Sequence, residues 1–123
     1  MNNYTIYCTE EQAKKALELG APIHKNVITC CYTEPWGYEE EFEKETDELI
    51  LPTAEQMVNW LEEQNVNVTI SNVGSYICSV WRNASNGIKY FNFTNNSFST
   101  RAEATLAAID AALDYLIKNK NGL

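Results

Sequence analysis

His24 is the only histidine in 123 residues, and its isolation removes most chemistry that needs a pair. No HExxH zinc motif is available, and no nucleophile-elbow motif signals a serine for Ser/His/Asp catalysis. The five glycines are scattered and build no phosphate-cradling loop. Basic residues are also scarce. Nine Lys and Arg against seventeen Asp and Glu leave a net charge of −8, which repels the long nucleic acids that an extended positive surface would hold. No apolar run approaches the ~20 residues that span a bilayer. MNNYTIYCTEEQ shows no basic stretch followed by an apolar one, so the expected location is the cytoplasm. Catalysis, a cofactor and a metal are not expected.

The four cysteines, Cys8, Cys30, Cys31 and Cys78, include no Cys-x-x-Cys knuckle. A zinc site would need Cys8 and Cys30 or Cys31 with His24, and two adjacent cysteines rarely aim at one tetrahedral ion. Reduced thiols serving as small buried hydrophobes are expected instead. With 45% apolar and 21% charged residues, the composition is that of one globular domain over residues 1–123.

The acidity is concentrated. Glu34, Glu39, Glu40, Glu41, Glu43, Glu45, Glu48 and Asp47 face one lysine, Lys44, between residues 34 and 48. The remainder carries nine acidic and eight basic residues and is close to neutral. Pro35, Gly37 and the glutamate run predict an exposed acidic loop over 34–51. Trp36, Tyr38 and Phe42 within it are expected to pin the loop to the body or to meet a partner. Charge runs of this kind are commonly solvated surface; spaced carboxylates also imitate nucleic-acid phosphates.

Three capping boxes punctuate the chain: Thr9 with Gln12, Thr53 with Gln56, and Thr100 with Glu103. The first opens a short helix that Gly20 stops, with Ala13, Ala16 and Leu17 as its buried face. The second opens a helix burying Met57, Trp60 and Leu61. The third opens a helix whose core stripe is Ala102, Leu106, Ile109, Leu113 and Leu116. Ala104, Ala108, Ala111 and Ala112 make a flatter side suited to a sheet or to a second copy. Residues 119–123 are expected to fray. Strands are predicted at Tyr4–Cys8, Asn26–Tyr32, Val66–Val73, Tyr76–Arg82 and Ile88–Thr94, with an Asn-Gly hairpin at Asn86-Gly87. The expected fold is therefore α+β: a three-stranded antiparallel meander packed by helices over 52–119, preceded by a β-α-β extension.

The most suggestive cluster is Trp81, Arg82, Lys89, Phe91 and Asn92 on neighbouring strands, with Arg101 opening the last helix. Aromatic faces stack bases, and Arg, Lys and helix N-terminal amides hold phosphate oxygens. Strand alternation puts Trp81 and Arg82 on opposite faces unless a bulge intervenes. Core packing by Phe91 and Phe93, with Arg82 and Lys89 as solvated charges, is the competing account.

LPTAEQMVNWLEEQ and SFSTRAEATLAAIDAALDYLIKN, with the N-terminal YCTEEQAKKALELGAP, resemble small proteins of phages and prophages of gut anaerobes. The helix–three strands–helix order is similar to that of double-stranded-RNA-binding domains. There the last helix opens with several lysines, whereas Thr100-Arg101-Ala102-Glu103 offers one base, which weakens an RNA role. The phage resemblance implies the product of a virus or mobile element, many of which antagonise bacterial defence. Together with the missing catalytic motifs, it leads to the expectation of a non-catalytic protein, in the cytoplasm of an infected bacterium, that counters host immunity. The strand cluster and the acidic segment suggest one mode each. One is sequestration of a small anionic, nucleotide-like signal by a homo-oligomer, as in sponges of the Thoeris anti-defence type, through Trp81, Arg82, Lys89, Phe91, Asn92 and Arg101. The other is direct inhibition of a defence protein by an acidic nucleic-acid mimic, through Trp36, Glu39, Glu40, Glu41 and Glu43. An accessory protein with no defence role is the third expectation.

Overall fold

Thr9 and Thr53 begin their helices with the same reciprocal pair of bonds. Each threonine Oγ1 accepts the amide of the glutamine three residues on, and that glutamine's Oε1 accepts the threonine amide, all at 3.0–3.1 Å. The computed structural model describes residues 5–33, 35–37, 39–93 and 97–121, without the side chains of Tyr32, Glu39, Glu40, Phe91, Asn92, Phe93 and Asn121. Glu34, Tyr38 and Tyr4 thus lie outside the described residues. The order is α1 (Glu10–Glu18), β1 (Lys25–Thr33), β2 (Glu39–Leu49), α2 (Ala54–Glu63), β3 (Asn67–Asn72), β4 (Tyr76–Ala84), β5 (Gly87–Phe93) and α3 (Arg101–Asn121). The fold is α+β, with one two-stranded and one three-stranded antiparallel sheet.

The meander β3–β4–β5 and the helices α2 and α3 enclose the core. Val66, Val68, Ile70, Cys78 and Val80 present one sheet face to Met57 and Leu61 of α2 and to Ile109 and Leu113 of α3. The expected stripe on α3 is buried only at its centre, at Ile109 and Leu113. Ala104, Ala108 and Ala112 are also fully buried. The small-residue side is therefore spent inside this chain, where absent side-chain bulk lets neighbouring elements approach closely, and it is not offered to a second copy. α3 runs to Asn121 rather than fraying from residue 119. The Asn119 side-chain Nδ2 donates to the Tyr115 carbonyl at 2.9 Å, and Lys120 Nζ donates to the Glu18 carbonyl at 2.9 Å.

Two further expectations are corrected. Among the described residues the N-terminal strand is a single bridge, Tyr7 to Thr53, flanked by bonds from the Cys8 amide to the Pro52 carbonyl and from the Ala54 amide to the Ile6 carbonyl. Pro52 has no N–H to extend the ladder, and the chain turns into α2 directly after Thr53. On α1, Gln12 takes the buried place expected of Leu17, which is 42% exposed.

The larger correction concerns residues 34–51. Most of the expected loop is a strand: β2 pairs with β1 from Lys25–Leu49 out to Thr33–Glu39. The two strands form a ribbon apart from the meander. Both of its faces are open to solvent, with Val27, Ile28 and Phe42 between 45% and 49% exposed.

Candidate functional site

Register decides what the ribbon displays. Thr33, Cys31, Thr29 and Val27 oppose Glu39, Glu41, Glu43 and Glu45, so those four glutamate positions share one face. Cys30 opposes Phe42 and Ile28 opposes Lys44 on the other face, where Glu40 also falls opposite Tyr32. Alternate residues on a strand are about 6.8 Å apart, which spaces the acidic positions evenly along the ribbon. Glu41, Glu43 and Glu45 are exposed. Lys25, at the base, is the cation that meets it, 3.9 Å from Glu45 and 4.0 Å from Asp47.

Trp36 sits in the turn between the strands and is 78% exposed. Of the two roles expected for it, pinning to the body is not what its exposure shows. Two-stranded ribbons are marginal in water unless something covers a face. This one combines a row of like charges with an exposed indole and a half-exposed phenyl ring.

A pocket of about 380 Å³ opens where the ribbon joins the body, lined by Pro22, His24, Ile50, Pro52, Met57 and Trp60 among others. His24 is thus a rim residue of an apolar recess, and the Ile50 amide donates to its carbonyl at 2.8 Å. Among the described residues no group of three or more His, Cys, Asp or Glu is placed to hold a metal ion. Cys8 and Cys78 are buried and Cys31 is exposed on the ribbon.

The strand cluster divides. Trp81 stands opposite both Asn67 and Tyr90, and its Nε1 donates to Thr69 Oγ1 at 2.8 Å, on the sheet face away from the helical core. A register shift between Val80 and Trp81 makes Phe91 the extra residue of a bulge in β5. The shift leaves the regular β3–β4 ladder intact, so Arg82 stays on the face opposite Trp81. Lys89 is its direct cross-strand partner. The side chains of Phe91 and Asn92 lie outside those described.

Arg101 is elsewhere. It lines a cleft of about 640 Å³ at the β3 edge with Thr53, Glu55, Val68, Ile70 and Thr105. Glu55 offsets its charge there. Two of the hydroxyls are already engaged: Thr105 Oγ1 donates to the Arg101 carbonyl at 2.7 Å, and Thr53 Oγ1 caps α2.

No protein-family model, curated protein or solved structure matches this chain. Two site features escaped the reading of residue types. Glu45 extends the acidic row, and Tyr90 is the exposed neighbour of Trp81. The signal for the first was the strict acidity of positions 39, 41, 43, 45 and 47, a period of two that marks a strand.

Proposed function

We propose that this chain is a non-catalytic binding protein whose working surface is the β1–β2 ribbon, an acidic mimic that occupies a basic, nucleic-acid-binding surface of another protein. The observation that carries this reading is the register, which sets Glu39, Glu41, Glu43 and Glu45 in one row on a ribbon exposed on both faces. Aligned carboxylates repel one another in the free protein, and a row of Arg and Lys on a partner relieves that repulsion while steering encounter. Trp36 at the tip and the 380 Å³ recess at the base supply apolar anchor points at either end. Given the resemblance of both ends of the chain to phage and prophage proteins, the partner would be a bacterial defence protein that handles nucleic acid. No helix among the described residues is long and apolar enough to cross a membrane, in keeping with a target met in solution.

Sequestration of a nucleotide-like signal draws less from the geometry. The cleft beside Arg101 is close to neutral, Trp81 lies on the opposite sheet face from Arg82, and the small-residue side of α3 is occupied. A plaque assay on hosts carrying defined nuclease-based defence systems separates the two. The ribbon reading expects Glu41→Gln/Glu43→Gln/Glu45→Gln to abolish protection of the phage and Arg101→Gln to leave it unchanged. Full protection by the triple variant would overturn it.

A further inference from the structure

Of the meander's two edges, one is guarded and one is open. β5 carries Lys89 and, at Phe91, a bulge, two devices that commonly keep an edge strand from pairing further. β3, the run NVTISN, has no charge and no proline, and its register with β4 is unbroken from Asn67 to Asn72.

The direction of its backbone groups follows from the two ends of β4. Tyr76 exchanges two bonds with Phe98, its amide donating at 3.0 Å and its carbonyl accepting at 2.8 Å. Both polar groups of Tyr76 therefore point away from Asn72, its partner on β3. At the far end the Asn65 side chain holds the Asn83 amide and carbonyl, at 3.3 Å and 3.0 Å, on the β3 side. These observations set the same alternation: Ile77, Ser79 and Trp81 bond to β3, and Cys78 and Val80 do not. Opposite the latter two stand Ile70 and Val68. Their amides and carbonyls thus face outward, and none has a hydrogen-bond partner among the described residues. The same two residues are half-buried and line the cleft of about 640 Å³ together with Ile6 and Val58, so the edge borders open space.

We propose that β3 is the contact through which two copies of this chain join, edge to edge and antiparallel, about a twofold axis at Thr69. The strand suits its own image. Val68 of one copy meets Ile70 of the other and the reverse, each pair exchanging two backbone bonds. The two threonines at position 69 then stand opposite each other on the outer sheet face, a favourable pairing. An uncharged strand brings no repulsion to its copy, as the glutamates of β2 would. The contact is isologous, merges the two meanders into one sheet and leaves each β1–β2 ribbon free. One strand pair is a small interface, so the dimer is weak and reversible.

Sedimentation equilibrium over the micromolar-to-millimolar range should show a monomer–dimer equilibrium. Over the same range, hydrogen exchange read by NMR should slow at the Val68 and Ile70 amides and stay unchanged at Thr69, whose amide already bonds to β4. Thr69→Lys sets two ammonium groups face to face and should weaken the dimer at least about ten-fold. Thr69→Val loses the same bond from Trp81 without adding charge, and should dimerise as the parent does. Replacing residues 27–47 by an Asn-Gly turn should leave dimerisation unchanged. A monomer at every concentration overturns the proposal, whether the edge then takes a strand of another protein or none. A dimer that survives Thr69→Lys undiminished, that is lost with the ribbon, or whose Val68 and Ile70 amides exchange as fast as the monomer's overturns it as well.

Discussion

Gln12 ties α1 to Leu106 of α3: its Nε2 donates to the Leu106 carbonyl at 2.8 Å while its Oε1 accepts the Thr9 amide at 3.1 Å. One buried side chain thus completes a cap and joins two helices, and its residue is only 3% exposed. The adjacent Lys15 extends the same junction into water, with Asp114 at 2.8 Å and Asp110 at 3.4 Å. Exposed partners of this kind add little, so the amide carries the contact.

Gln12→Ala should therefore lower unfolding stability by about 2 kcal/mol, the sum expected from a lost cap contact and a lost buried hydrogen bond. Gln12→Glu keeps the shape but sets a carboxylate against a carbonyl. It should be weaker at pH 7 than at pH 4, where the protonated acid again donates. Urea unfolding at both pH values checks the direction.

Alkaline pH should loosen the fold. Burial pushes the Cys8 thiol from its usual 9.0 up to about 11 and raises Cys78 for the same reason. Lys15 is raised chiefly by its hydrogen bond to Asp114, with burial opposing and the charges of Asp110 and Asp114 adding. All three hold their protons more tightly when folded. Their contribution is complete below the unfolded values and is lost as pH rises through the folded ones. For Cys8 the window runs from 9.0 to about 11, with a loss of about 2–3 kcal/mol at its end. Cys8→Ala should start less stable and show a flatter decline between pH 8 and pH 10.5.

The ribbon should be separable from the fold. Lys25 and Leu49 are already paired at its base, so replacing residues 27–47 by an Asn-Gly turn closes a short hairpin. The melting temperature should change by only a few degrees, because the core residues of α2, α3 and β3–β4 remain in contact. Collapse of the cooperative transition would show instead that the ribbon supports the core.

Much of this architecture was legible because it rests on local rules. Thr9, Thr53 and Gly20 announce helix ends whatever surrounds them, and the alternation of Val66, Val68 and Ile70 survives as the inner face of β3. The acidic segment was misread because glutamate disfavours strands, and that propensity hid a two-residue period. Leu17 and Gln12 exchanged roles for a tertiary reason: the Leu106 carbonyl offers a buried amide an acceptor, which no pattern within α1 reveals. The site cluster divided because adjacent residues on a strand face opposite ways. Only the β4–β5 register could set Lys89 beside Arg82 and Arg101 at the other edge of the sheet.

Lys25 and Leu49 are neighbours, so the ribbon leaves the body and returns to it through a single narrow neck. What happens along its length need not be felt in the interior. If the ribbon is the working surface proposed above, substitutions there would alter which target is recognised, residue by residue, while the scaffold stays the same. On that reading, a lineage under pressure from changing opponents would keep its alanine-lined helix and rewrite its glutamates.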